Sequence, residues 1–157
     1  MPERSFGHIA GHLPGAEFES RIELSRAGVH RPTQAGISGT EQEGADSIVL
    51  SGGYEDDSDS GEEIIYTGHG GRDQVTGQQI SDQLLTRGNM ALVYSQLRGL
   101  PVRVIRGASH RSPFSPRSGY RYDFTILGML GQLTVITGHK INIEHIRYHR
   151  AHYYKEI

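Results

Sequence analysis

The sequence predicts an α+β protein: a curved β-sheet or open β-barrel, flanked by one or two helices and carrying long loops. Three observations lead there. Strand-length β-branched runs recur along the chain, only one segment has helical periodicity, and four long connections rich in Gly, Ser, Pro, His and Asp separate the regular parts. With 157 residues, 21 Gly, four Phe and no Trp, the chain fits one domain, 1–157, around an aliphatic core interrupted by turns.

The elements follow in order. Glu19–Ala27 is expected to be a strand, because Ile22 and Leu24 alternate with charged residues. Ser47–Leu50 (SIVL), Ile64–Tyr66 (IIY), Val102–Ile105 (VRVI) and Leu133–Ile136 (LTVI) are β-branched runs bounded by Gly, Pro or Asp, and each reads as a strand. Asp82–Leu97 reads as a helix: Leu84, Leu85, Met90, Ala91, Leu92 and Leu97 supply an apolar side, and Ser81 or Asp82 an N-cap. Gly88 weakens it, which leaves room for two shorter helices. The connections Gly28–Gly44, Gly52–Gly61, Thr67–Ile80 and Gly107–Arg121 are long, and long loops on a compact β scaffold usually carry function.

Composition removes several chemistries. The absence of Cys excludes disulfides, thiolate nucleophiles and zinc–cysteine sites. No apolar run has the length of a signal peptide or a membrane span, so a cytoplasmic location is expected. The net charge of −2 conceals a division. Residues 1–97 hold 6 Arg against 15 Asp and Glu, whereas residues 98–157 hold 10 Lys and Arg against three acids. Arg dominates the basic third, and guanidinium forks match phosphate oxygens, although a merely solvated basic face has the same composition.

The densest segment is Ser51–Asp73, SGGYEDDSDSGEEIIYTGHGGRD, in which Tyr54 and Tyr66 bracket a short acidic loop. Four readings of it compete. An acidic hairpin with two ordinary sheet tyrosines is the plainest. A calcium loop through Asp56, Asp57, Asp59 and Glu62 lacks the spacing of an EF-hand. A metal-dependent phosphodiesterase would use Asp56, Asp57 and Asp59, but neither lysine (Lys140, Lys155) stands in a nuclease arrangement, and His139 and Asn142 are too close for a His-Asn-His site. In the fourth reading, two aromatic faces sandwich a nucleobase and a carboxylate accepts from the amino group of cytosine.

The segments FGHIAGHLPGAEF, AGVHRPTQAGISG, SIVLSGGYEDDSDSG, YTGHGGRD, DQLLTRGNMAL, GLPVRVIRG and SGYRYD, in this order, closely resemble the SRA domain (SET- and RING-associated, also called YDG) of 5-methylcytosine readers. The resemblance runs from about Phe6 to Asp123. It implies a DNA-associated protein whose partner is double-stranded DNA containing a modified cytosine, with no cofactor, no metal and no catalytic residue. It also implies a base pocket of Ser51, Gly53, Tyr54, Asp57, Tyr66 and Thr67. In that pocket Tyr54 and Tyr66 stack on the flipped base, Asp57 accepts from its amino group, Thr67 shapes the wall, and backbone groups at Ser51 and Gly53 meet the other edge of the pyrimidine. Gln34, in HRPTQAG, falls where the family fills the gap left by the flipped nucleotide. Arg72, Gln78 and Gln79 fall in the second groove-facing loop. From the charge pattern, Arg103, Arg106 and Arg121 are the candidates for phosphate contact, each with a structural ion pair as the alternative reading. Asp57 is thus expected to be sensitive to substitution, and Asp56 and Asp59 tolerant.

The chain also departs from the pattern. Gln74–Ser81 is short and lacks a basic tip, so weak dependence on the neighbouring base is expected, and residues 124–157 only loosely resemble the usual closing strands. His145 and His149 have i, i+4 spacing that would suit a metal on a helix, yet read more plainly as surface or phosphate-facing residues. His30 and His69 lie in the matching loops and read as structural or DNA-backbone contacts. Bacterial relatives of this type are often fused to nucleases, so the runner-up is the recognition module of a modification-dependent restriction system with a separate nuclease partner.

Overall fold

The computed structural model describes residues 2–52, 58–59, 61, 63–67, 87–136 and 143–150, of which 58, 63, 65, 67, 87, 127–136 and 143–150 are described by their backbone. The chain begins with β1 (Glu17–Phe18), α1 (Arg21–Ala27), β2 (Ile37–Thr40) and β3 (Gly44–Leu50). It continues through β4 (Ser58–Asp59), β5 (Glu63–Thr67) and α2 (Arg87–Arg98) to β6 (Pro101–Gly107), β7 (Tyr120–Ile136) and β8 (Ile143–Arg150). Eight strands form one mixed sheet in the order β2-β3-β6-β7-β8-β5-β4, with β1 attached to the start of β7. Among the described residues the path ends at β2 and β4, so the sheet is open, as expected. β3 and β6 are parallel and the other pairs antiparallel. A parallel pair needs a long crossover, and here it contains β4, β5 and α2.

Side-chain alternation divides the sheet into two buried faces. Ile48 and Leu50 of β3, Val102 and Val104 of β6, and Phe124 and Ile126 of β7 pack with Ala91, Leu92 and Val93 of α2. Val49, Ile105 and Tyr122 point the other way, against Phe18, Leu24 and Val29. Burial on both faces explains why SIVL and VRVI are nearly continuous apolar runs rather than alternating ones. Residues 2–16 cover part of the second face, where His8 Nδ1 lies 2.6 Å from Tyr122 Oη and Gly15 N–H donates to Tyr122 O.

One sequence reading is corrected. Glu19–Ala27 is a helix, α1, rather than a strand. Ser20 caps it by accepting from Glu23 N–H at 3.2 Å, the Glu23 carboxylate accepts from Glu19 N–H at 2.8 Å, and Gly28 closes it at φ 77°. The apolar alternation was misleading because only Leu24 is buried, whereas Ile22 is 53% exposed. Gly88 lies in the first turn of α2 as described. A Cβ there would lie 3.1 Å from the Ile37 side chain, so the glycine lets the helix approach β2 closely. The predicted helix start at residues 82–86 lies outside the described residues, and its end extends to Arg98. The strands read at SIVL, IIY, VRVI and LTVI fall within β3, β5, β6 and β7.

Candidate nucleic-acid interface

Strand register brings three loops to one end of the sheet. Ile37, which begins β2, pairs with Ile48 near the end of β3. Leu50, which ends β3, pairs with Arg106, and Gly107 pairs with Tyr120. Loop 28–36, segment 51–61 and loop 108–119 therefore emerge together.

Loop 28–36 is held from behind. His30 is fully buried; its Nε2–H donates to Ala35 O at 2.8 Å, and Nδ1 lies 2.7 Å from Ser47 Oγ. Ser25 Oγ donates to Arg31 O at 2.7 Å, and Val49 N–H donates to Gly36 O at 2.8 Å. Gln34 stands exposed on this loop. His30 is thus structural.

Segment 51–61 is tied to loop 108–119 at both ends. Ser109 Oγ donates to Ser51 O at 2.8 Å. Gly52, at φ 76°, passes so close that a Cβ would lie 2.5 Å from Ser109 O. At the other end, Asp59 receives five donors on two oxygens: Arg106 Nε and Nη2, both at 2.7 Å, Gly61 N–H at 2.9 Å, and His110 Nε2 and Ser112 Oγ, both at 3.2 Å. The Asp59 side chain is 1% exposed. Burial alone would raise its carboxyl, but the hydrogen bonds from His110, Arg106 and Gly61, with the Arg106 charge, hold it well below the usual carboxylate range. Arg106 also donates to Asp123 at 2.8 Å. Asp59 therefore has no lone pair left for a metal, which removes it from the calcium and phosphodiesterase readings.

Three predicted phosphate contacts meet different fates. Arg103 is completely buried, donating to Val29 O, Ser5 O, Gly7 O and Gly28 O at 2.8–3.3 Å and to Asp46 at 3.1 Å. Arg106 is 4% exposed and committed to Asp59 and Asp123. Neither guanidinium is available to a duplex, so the phosphate assignment is corrected for both and the alternative, a structural ion pair, holds. Arg121 remains partly exposed while pairing with Asp123 and Phe114 O. Tyr66 is 4% exposed and belongs to the same core cluster as Ile64 and Phe124. Thr67 ends β5 and pairs with His145. Gly53, Tyr54, Asp57, Arg72, Gln78, Gln79, Asp56 and His69 lie outside the described residues. His145 and His149 stand on strand β8, where four residues of rise separate their backbones by about 13 Å, which the helical spacing argument did not anticipate.

The SAD/SRA domain family matches residues 5–125. The chain belongs to that family. It is 41% identical over 144 residues to the E3 ubiquitin-protein ligase UHRF1 of Danio rerio, covering 78% of this chain and 19% of that protein. Against a UHRF1-like protein of Cryptococcus neoformans it is 45% identical over 131 residues, 76% of this chain and 38% of that one. Its fold matches the modification-dependent TagI restriction endonuclease with a TM-score of 0.89 and 49% identity, over 96% of this chain and 53% of that chain. The SUVH5 SRA domain in complex with fully methylated CG DNA matches with a TM-score of 0.78 and 36% identity over 95% of each chain. The chain thus spans about a fifth of the length of UHRF1 (19%) and about half of TagI (53%).

Within this SRA domain, sequence reasoning overlooked Arg21, His110 and Ser112, which hold the loops, and did not foresee the bracing role of Asp59. A local signal existed only for Arg21. The pair Ser20…Glu23 marks a helix start, and hence places Arg21 in the first turn facing the Gln34 loop. Asp59 lies 51 and 53 positions from His110 and Ser112, so no local spacing links them.

Proposed function

We propose that this chain reads a modified cytosine in double-stranded DNA by taking the base out of the helix into a pocket of segment 51–67, and that it binds without catalysing a reaction. The observation that carries this reading is the convergence of the Gln34 loop, segment 51–61 and their brace 108–119 at one end of the sheet. Flipping costs a few kcal/mol, and stacking on an aromatic ring returns about 1–3 kcal/mol per base. Tyr66, buried in the core, forms the floor of the pocket and costs little to order; Tyr54 supplies the second face and Asp57 the acceptor for the amino group. Gln34 enters the vacated space from its braced loop. Arg72, Gln78 and Gln79 face the groove, and Arg121 reaches the backbone.

The SUVH5 SRA domain has been solved with fully methylated and with fully hydroxymethylated CG DNA, which supports a pocket that takes 5-methylcytosine or its hydroxymethyl analogue. The test is competition binding on one duplex carrying cytosine, 5-methylcytosine or 5-hydroxymethylcytosine at a single position. Equal affinity for all three refutes the reading. A second reading is favoured by the 49% identity to TagI: the domain is the recognition part of a modification-dependent restriction system whose nuclease lies elsewhere. Cleavage of methylated plasmid by this chain with Mg²⁺ or Mn²⁺ would instead make it an enzyme.

A further inference from the structure

We infer that Arg21 is a positioning residue that sets the Gln34 loop in its DNA-entering shape before DNA arrives. Its place in the fold is unfavourable for the helix it opens. As the first residue of α1 it puts a cation at the positive end of the helix dipole. What it gains lies across the gap. Nη2 donates to Pro32 O at 3.1 Å and to Ala35 O, and Nη1 approaches Gln34 O at 3.4 Å.

One guanidinium thus collects three carbonyls that flank the exposed Gln34 side chain. With Ser25 on Arg31 O, His30 also on Ala35 O and Val49 N–H on Gly36 O, the backbone oxygens of residues 31, 32, 34, 35 and 36 all have donors on the protein side. A loop whose carbonyls are drawn inward presents its side chains outward, and it loses little freedom when it enters the duplex. The task suits Arg alone, because its donors diverge in a fixed planar fork, whereas Lys is a point charge on a flexible stem.

This inference rests on the base-flipping reading, so the experiment separates the two. Dissociation constants are measured for the full chain on methylated and unmodified duplexes, with 2-aminopurine beside the methylcytosine to report loss of stacking. The variants are Arg21→Gln, Arg21→Lys and Ser25→Ala, each alone and combined with Gln34→Ala, with a thermal melt of each. Both Arg21 variants should bind methylated DNA about tenfold more weakly and lose the 2-aminopurine signal, as expected when preorganisation is lost. They should change little on unmodified DNA. Ser25→Ala, which frees the loop from the other side, should shift the same way by a smaller factor. On the Gln34→Ala background the Arg21 effect should fall below about twofold, because the loop then has nothing to position.

Full affinity in Arg21→Lys would show that charge alone matters, as for a phosphate contact, and would overturn the proposal. So would an undiminished tenfold loss on the Gln34→Ala background. A wild-type chain that fails to prefer methylated DNA removes the base-flipping reading itself, and the proposal with it, before any variant is compared.

Discussion

Replacing Asp59 by Asn removes the charge on which the brace of segment 51–61 converges. The two Arg106 nitrogens at 2.7 Å face both carboxylate oxygens. An amide offers them one oxygen and one NH₂, so a donor then faces a donor inside the protein. Breaking a buried pair by removing one partner costs about 3–5 kcal/mol. Arg106 keeps Asp123 at 2.8 Å, which places the loss at about 3 kcal/mol, the low end of that range. At roughly 2–4 °C per kcal/mol for a chain of this size, the melting temperature should fall by roughly 6–12 °C. The assay is a thermal melt at neutral pH in low and high salt, and the difference should change little with salt because the pair is shielded from solvent. Acid offers a second check. The Asp59 carboxyl sits below its ordinary range in the fold, so its contribution is complete above the unfolded value of about 3.9 and declines as pH falls beneath it. The gap between wild type and Asp59→Asn should therefore narrow below about pH 4. A fall of less than about 2 °C at pH 7, about the effect of 1 kcal/mol or less, would refute the claim that this network holds the segment.

Four further outcomes are expected. Tyr66→Phe should retain most methylcytosine binding, whereas Tyr66→Ala should lose about 1–3 kcal/mol of it together with about 3–5 kcal/mol of fold stability. Unchanged affinity of Tyr66→Ala for methylated duplex would refute the stack. Arg103→Met should destabilise by about 3–5 kcal/mol while the folded fraction keeps its preference for modified DNA; an unaltered melt would refute the claim that this buried network stabilises the fold. Burial, then the Arg103 charge, holds the His8 imidazole below its ordinary value, so stability should be complete above about pH 7 and fall as the unfolded chain takes up its proton near pH 6.5. His8→Gln should flatten the melting temperature between pH 7 and 5. Finally, dissociation constants for methylcytosine followed by G, A, T or C should differ by less than about tenfold, or roughly 1.4 kcal/mol; a larger CpG preference would mean that Gln74–Ser81 reads the neighbour despite its length.

The sequence by itself determined the α+β class, the strands at SIVL, IIY, VRVI and LTVI, and the family, because these rest on local propensity and on motifs whose residues lie close together. It also located the exposed Gln34 within its loop. It misread α1, where two apolar residues imitated a strand and the capping pair Ser20…Glu23 decided otherwise. The roles of the arginines were settled only by tertiary structure. Alternation along β6 places Val102 and Val104 on one face and Arg103 and Ile105 on the other, yet it does not say whether that second face meets water. Residues 2–16 and α1 cover it, so Arg103 becomes a buried knot binding five groups from distant parts of the chain. Arg106 likewise finds Asp59, 47 positions earlier, through sheet pairing and loop closure. Charge counted along a chain cannot distinguish a guanidinium aimed at phosphate from one that fills the protein's own buried acceptors, because that difference arises from what the fold packs over it.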